Sequence, residues 1–171
     1  MIRSDIKLKE LSDILNKSDS LIIAEKIEEL RLEKPFEGAI GLLTAHYDKA
    51  EDRTVRNSIA GFLYDLKDQS VCPEVINEIG KPWKPDTISM LVSSCWQSGL
   101  DYSEYSMELA KTFITSDYVT AIECLTVIEE SVNDLTREKK DEVIKMIEDH
   151  ASEVPADIMS LKGELLLILE R

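Results

Sequence analysis

The residues that most often carry out chemistry in proteins are sparse in this chain. Its two histidines, His46 and His150, lie in no zinc-protease, Glu-x-x-His or His-x-His pattern. Its three cysteines, Cys72, Cys95 and Cys124, are far apart and form no C-x-x-C pair. Each cysteine lies on or near an apolar stripe. We therefore predict reduced core thiols, because free cysteine behaves as a small buried hydrophobe.

Other catalytic patterns are missing as well. No glycine-rich phosphate loop and no local signature of a nucleophile triad occurs. With 34 acidic residues in the chain, paired carboxylates arise by chance and indicate little. We predict no catalytic residue, no cofactor and no metal site. The alternative is an enzyme in which His46, Tyr105 and Glu108 converge from distant segments into one pocket.

The acidic residues are unevenly distributed. The formal net charge is −14, and residues 86–135 hold nine acidic residues against one basic residue, Lys111. This stretch therefore contributes −8 of the total. Negative charge repels phosphate backbones, so we do not expect nucleic-acid binding. It favours a basic protein partner, although an acidic surface that only maintains solubility is the alternative.

The composition is typical of one ordered, helix-rich domain. Hydrophobic residues make up 43% and charged residues 32% of 171 positions, with 6 glycines and 5 prolines. No apolar run approaches the ~20 residues that a membrane-spanning helix needs. The first ten residues lack the apolar centre of a signal peptide. These features predict a cytoplasmic protein that does not enter a membrane.

Apolar residues recur at helical spacing along the chain. In the stretch Asp52–Leu66, Val55, Ile59 and Leu63 fall on one stripe, and the preceding stretch Phe36–Ala50 has a matching stripe. Asp52 or Thr54 precedes this stripe, where a side-chain oxygen can cap the free backbone N–H groups of a helix. The two stretches predict a hairpin of two helices joined by a tight acidic turn.

The same arrangement recurs with a period near 34 residues. Five aspartates stand just before an apolar stripe, with gaps of 33, 34, 31 and 40 residues: Asp19, Asp52, Asp86, Asp117 and Asp157. The period divides a single domain, residues 1–171, into five approximate units: 1–34, 35–70, 71–100, 101–135 and 136–171. We predict one helical hairpin in each unit.

The predicted hairpins recur every ~34 residues, with Asp in the turn followed by Val-Arg and a small residue. This pattern resembles that of the HEAT-repeat, armadillo-type family. The residues that carry this resemblance are Asp52, Val55, Arg56, Ile59, Ala60 and Leu63. Other units lack the basic residue, where Ser89, Thr120 and Met159 stand instead. The resemblance implies a right-handed α-α superhelix, or α-solenoid, of about five hairpins. It also implies that the second helices line a concave groove for protein binding.

The leading hypothesis is a non-enzymatic protein-interaction module that binds a basic partner along the second-helix face. The candidate partner-binding residues are Arg56, Trp83, Asp86, Thr120, Glu123, Glu129 and Glu130. The resemblance implies that Arg56, Asp86, Thr120 and Glu123 lie on or near the groove, and Glu129 and Glu130 belong to the acidic stretch. Trp83, between two prolines, is either a lid over its hairpin or an exposed anchor.

Two further alternatives concern partners. A narrower role is an immunity or inhibitor protein for a basic toxin, since small acidic helical proteins suit it. The last helix carries Leu166, Leu167 and Leu169 beyond its inner stripe. These leucines predict either deep packing against the neighbouring units or a homodimer or partner contact.

Overall fold

The computed structural model describes all 171 residues and confirms the all-α class. Ten α-helices account for nearly all of the regular structure, and each of the five predicted units contains two consecutive helices. The helices are α1 Asp5–Lys17, α2 Ser20–Leu30, α3 Ala39–Lys49, α4 Arg53–Tyr64, α5 Cys72–Ile79, α6 Pro85–Gln97, α7 Ser106–Thr115, α8 Tyr118–Ser131, α9 Arg137–Asp149 and α10 Met159–Glu170.

The only β-structure is a two-residue parallel pair that the sequence does not predict. Ile2–Arg3 pairs with Phe36–Glu37, so the first residues of the predicted stretch Phe36–Ala50 are extended. Gly38 follows with a positive φ of 92°, and helix α3 begins only at Ala39. A positive φ is readily adopted by glycine and breaks the helical path. Four short 3-10 turns precede or follow helices elsewhere.

Three of the five aspartates cap helices as the sequence predicts. The carboxylates of Asp19, Asp52 and Asp117 accept hydrogen bonds from backbone N–H groups at the starts of α2, α4 and α8. Asp86 instead lies inside the first turn of α6, because that helix begins one residue earlier, at a proline. Asp157 lies in the 3-10 turn before α10.

The helices pack in two sets. The even-numbered helices form one continuous series, in which α2 packs on α4, α4 on α6, α6 on α8 and α8 on α10. The odd-numbered helices pack as α1 on α3 on α5, and as α7 on α9. Between the two sets lies one cluster of 41 buried hydrophobic residues. This cluster includes residues of all ten helices.

The cysteines and the last helix illustrate how the core is filled. All three cysteines are free and buried, which confirms the predicted core thiols. Burial raises the pKa of each thiol. In α10, Leu169 is fully buried and Leu166 is partly buried, whereas Leu167 remains 63% exposed. The additional apolar surface of this helix is therefore mostly covered by its own neighbours.

Candidate functional site

Arg56 joins three helices. Its guanidinium carbon lies 3.9 Å from the centre of the Tyr47 ring, and its Nη1 donates to the Tyr47 carbonyl oxygen at 3.1 Å. Its Nη2 donates to Asp86 Oδ2 at 2.5 Å. The Arg56 side chain is only 21% exposed. The structure therefore brings two candidate residues, Arg56 and Asp86, together, but most of their polar groups are used to hold α3, α4 and α6 to one another.

Trp83 lies in the connector between α5 and α6, half-buried against the hydrophobic core. Its indole Nε1 is buried and has no hydrogen-bond partner. The adjacent backbone is tied to α3, because Asp48 Oδ1 accepts from Lys84 N at 2.9 Å and from Thr87 Oγ1 at 2.8 Å. The indole thus covers its hairpin and leaves part of its surface open to solvent.

On α8, the candidate residues differ in accessibility. Thr120 is 1% exposed. Glu123 is partly exposed and accepts a hydrogen bond from Trp96 Nε1 at 2.5 Å, which links α8 to α6. Beside this pair, Gln97 Nε2 donates to Ser93 Oγ at 2.9 Å. These side chains form a polar band across α6 and α8, and a partner would meet Glu123 before it could meet Thr120.

Tyr64 extends the polar band to α4. Its phenol lies beside Ser93 and Gln97. Burial is the main cause that raises the pKa of Tyr64, and the negative charge of Glu123 adds to it. The hydroxyl therefore stays protonated at neutral pH and can act as a hydrogen-bond donor. The sequence analysis missed Tyr64, because its apolar neighbours on α4 place it among core residues.

Glu130 lies at the rim of a cavity of about 220 Å³ at the C-terminal ends of α6 and α8. Asp101 and Asp134, which the sequence analysis did not single out, lie on the same rim. The hydrophobic lining comes from the buried Tyr102, from the partly buried Trp96 and Leu100, and from Cys95 and Val127. Hereafter this is the acidic cavity. Glu129 points elsewhere, with Oε1 lying 3.9 Å from Arg171 Nη1.

The carboxylates around the acidic cavity make no ion pairs. Within residues 86–135, ion pairs involve only Asp86, Glu104 and Glu129. Asp101, Glu130 and Asp134 are exposed and take part in none of them. Hydrogen bonds from Ser103 and, less strongly, the charge of Lys139 lower the pKa of Asp101, so this carboxyl is ionised at neutral pH. The C-terminal ends of two helices add partial negative charge. The arrangement suits a cationic side chain with an apolar stem.

A second cavity, of about 250 Å³, is lined by a different set of residues. It opens between the segment that follows α2 and the segment that follows α4. Its inner wall is apolar, and charged side chains surround its opening. Hereafter this is the apolar cavity. The sequence analysis did not predict it, because its wall combines residues of three different hairpins.

The residues of the alternative enzyme hypothesis lie on different elements. His46 is on α3, Tyr105 ends a 3-10 turn and Glu108 lies in the first turn of α7. None of them lines the acidic cavity or the apolar cavity. Burial, followed by the charge of Lys49, lowers the pKa of His46. No group of three His, Cys, Asp or Glu side chains is arranged to hold a metal ion.

Comparison of the chain with protein-family models, with curated proteins and with solved structures finds no match. The function therefore has to be argued from the surface and the cavities of this molecule. No helix has both the length and the apolar character that crossing a membrane requires.

Proposed function

We propose that this protein is a non-enzymatic interaction module, a HEAT-like right-handed α-solenoid that binds a basic protein partner along its even-numbered helices. The acidic cavity is the centre of the proposed interface. The single observation that carries the proposal is the rim of three carboxylates that take part in no ion pair, around an apolar lining.

The helix packing supports the solenoid part of the proposal. Each even-numbered helix packs on the next, as expected when hairpins stack in sequence. Polar contacts also recur between side chains about one period apart. Examples are Ser20 to Asp52, Arg31 to Asp65, Arg56 to Asp86 and Gln69 to Asp101, with sequence separations of 32, 34, 30 and 32 residues. Such contacts are what nearest-neighbour repeats would make.

The lining of the acidic cavity supports a lysine or arginine side chain as the bound group. Long basic side chains bury their aliphatic stems against apolar surface and keep the charge at the rim. Leu100 and Val127 supply apolar surface, and Trp96 supplies an aromatic ring. Asp101, Glu130 and Asp134 supply negative charge at the rim. In most interfaces, a few buried anchor residues of this kind contribute most of the binding free energy.

The test removes the three rim charges and compares the result with an equal change elsewhere. The rim variant is Asp101→Asn, Glu130→Gln, Asp134→Asn. The control variant removes three exposed, unpaired carboxylates of α9: Glu138→Gln, Glu142→Gln, Glu148→Gln. Its net charge therefore equals that of the rim variant. Binding of a short Lys/Arg-rich peptide is measured by fluorescence anisotropy at two salt concentrations.

The rim variant is expected to bind the peptide about tenfold more weakly, since each exposed ion pair contributes roughly 0.5 kcal/mol. The control variant is expected to lose about twofold through long-range attraction alone. Equal losses in both variants would mean that the peptide responds only to net charge. In that case the acidic cavity is not the binding site. Glu123 is left unchanged because it holds Trp96.

A further inference from the structure

The apolar cavity has the lining of a small-molecule site. Six of the residues that line it are buried hydrophobic side chains: Leu30, Phe36, Ala39, Ile40, Leu66 and Val71. Its volume of about 250 Å³ can be compared with engineered apolar cavities of about 150 Å³, which bind benzene. In proportion, the apolar cavity has space for a ligand of roughly ten non-hydrogen atoms.

The charged groups at its opening differ in whether they are already engaged. Glu33 pairs with Lys7 at 2.5 Å, and Asp65 pairs with Arg31 at 2.6 Å and with Lys67 at 3.3 Å. Asp68 accepts from the Ser70 backbone N–H at 2.9 Å, and hydrogen bonds from Ser70 together with the charge of the N-terminal ammonium lower its pKa. Lys34, which is exposed and also lines the opening, takes part in no ion pair, so it is the charged side chain at this opening that has no charged partner.

We propose that the apolar cavity binds an unbranched carboxylic acid of about eight carbon atoms. The alkyl chain lies against the buried hydrophobic wall, and the carboxylate pairs with the Lys34 ammonium at the opening. The chain length follows from the volume, and the anionic head group follows from the unpaired lysine. This site shares no lining residue with the acidic cavity, which attracts the opposite charge.

Octanoate and 1-octanol are the probes, and isothermal titration calorimetry of the whole chain measures their affinities. Octanoate is expected to bind with one-to-one stoichiometry. From hexanoate to octanoate the affinity is expected to rise about fourfold for each added methylene, as burial of apolar groups requires. Beyond roughly ten non-hydrogen atoms the gain per methylene is expected to stop, because the cavity is full. Absence of saturable octanoate binding would overturn the proposal.

Two substitutions separate the two parts of the site. Ala39→Leu fills part of the cavity and is expected to weaken octanoate binding about tenfold. Lys34→Gln is expected to weaken octanoate about threefold and to leave 1-octanol unchanged. Lys145→Gln, an equal charge change at an exposed, unpaired lysine of α9, serves as the matched control and is expected to change neither affinity.

Thermal unfolding is recorded for every variant. If Ala39→Leu does not fold, Val71→Ile provides a smaller filling change with an expected loss of about fourfold. Octanoate binding that no cavity-filling variant weakens would place the ligand elsewhere and overturn the proposal. Equal effects of Lys34→Gln and Lys145→Gln would overturn the assignment of the carboxylate to Lys34. The peptide affinity of the acidic cavity is a separate readout, so failure of either site is recognised independently.

Discussion

Replacement of Arg56 by methionine is expected to destabilise the fold, because this side chain holds three helices together. Its guanidinium stacks on the Tyr47 ring at 3.9 Å, donates to the Tyr47 carbonyl oxygen and pairs with Asp86. Methionine keeps much of the length and the apolar stem of arginine. The substitution therefore removes mainly the charge and the hydrogen-bond donors.

The magnitude follows from the three contacts. A stacked, partly desolvated guanidinium contributes about 1 kcal/mol. Its charged hydrogen bond to a carbonyl oxygen contributes about 1.5 kcal/mol. The pair with Asp86, whose side chain is 58% exposed, contributes only about 0.5 kcal/mol. Because such terms are not strictly additive, Arg56→Met is expected to lower the free energy of unfolding by about 2–3 kcal/mol. The melting temperature should fall by about 4–10 °C.

The assay is urea unfolding followed by far-ultraviolet circular dichroism. Arg53→Met is the matched control, since Arg53 lies on the same helix, is exposed and takes part in no ion pair. It should change stability by less than about 0.5 kcal/mol. A double-mutant cycle with Asp86→Asn should give a coupling energy of about 0.5 kcal/mol. If Arg56→Met costs no more than Arg53→Met, the structural role assigned to Arg56 is wrong.

Three further predictions concern single positions. Glu74 of α5 accepts hydrogen bonds from two backbone N–H groups at the start of α3, both at 3.1 Å. Glu74→Gln should therefore lower the free energy of unfolding, measured in urea, by about 1–2 kcal/mol. An unchanged free energy would show that the contact contributes nothing. Gly38→Ala should destabilise the protein by about 1–2 kcal/mol, because φ is 92° and the new Cβ would lie 2.8 Å from a Leu8 methyl. By contrast, Gly163 lies inside α10 with open space around it, so Gly163→Ala should stabilise the protein by about 0.5–1 kcal/mol. A stabilising Gly38→Ala or a destabilising Gly163→Ala would contradict the corresponding argument. The lowered pKa of His46 means that the folded state binds fewer protons than the unfolded state just below pH 6.5, so stability should fall as the pH is lowered through this window. His46→Gln should reduce that slope, and an NMR titration of His46 with a midpoint at or above 6.5 would refute the argument.

The two cavities differ in the kind of group that they can bind. The acidic cavity combines unpaired carboxylates with helix C-terminal ends, so it suits a cation. The apolar cavity has engaged carboxylates and a free lysine at its opening, so it suits an apolar anion. Opposite preferences in one small chain allow each proposal to be tested with the other site as an internal control.

Local patterns predicted the helices well, because helix formation depends on residues close in sequence. The period predicted one helical hairpin in each of five units, and each unit contains two helices. Asp19, Asp52 and Asp117 cap helices as predicted. The predicted start of α3 at Phe36 was wrong, because Phe36 pairs with Ile2 as a short strand, and this is a contact between distant segments. Periodicity within one segment carries no information about such a pairing.

The candidate site was less predictable. Arg56 and Asp86 were both singled out, yet their mutual ion pair depends on how α4 and α6 cross. Thr120 is buried, because the packing of α8 covers that face of the helix. Asp101 and Asp134 join Glu130 only at the ends of α6 and α8. Each of these facts depends on contacts between hairpins, and a weak sequence repeat does not specify their details.

By itself, the sequence determined the helical class, the helix positions and the excess of acid in residues 86–135, because these are properties of composition and short-range spacing. Only the tertiary structure decided which charges are neutralised and where the cavities lie. The reason is that the ion pairs between hairpins and the walls of the cavities need side chains about one hairpin or more apart to meet, as Arg31 and Asp65 do at 2.6 Å. That meeting is set by helix packing, in which every buried apolar stripe contributes to the final position of each helix.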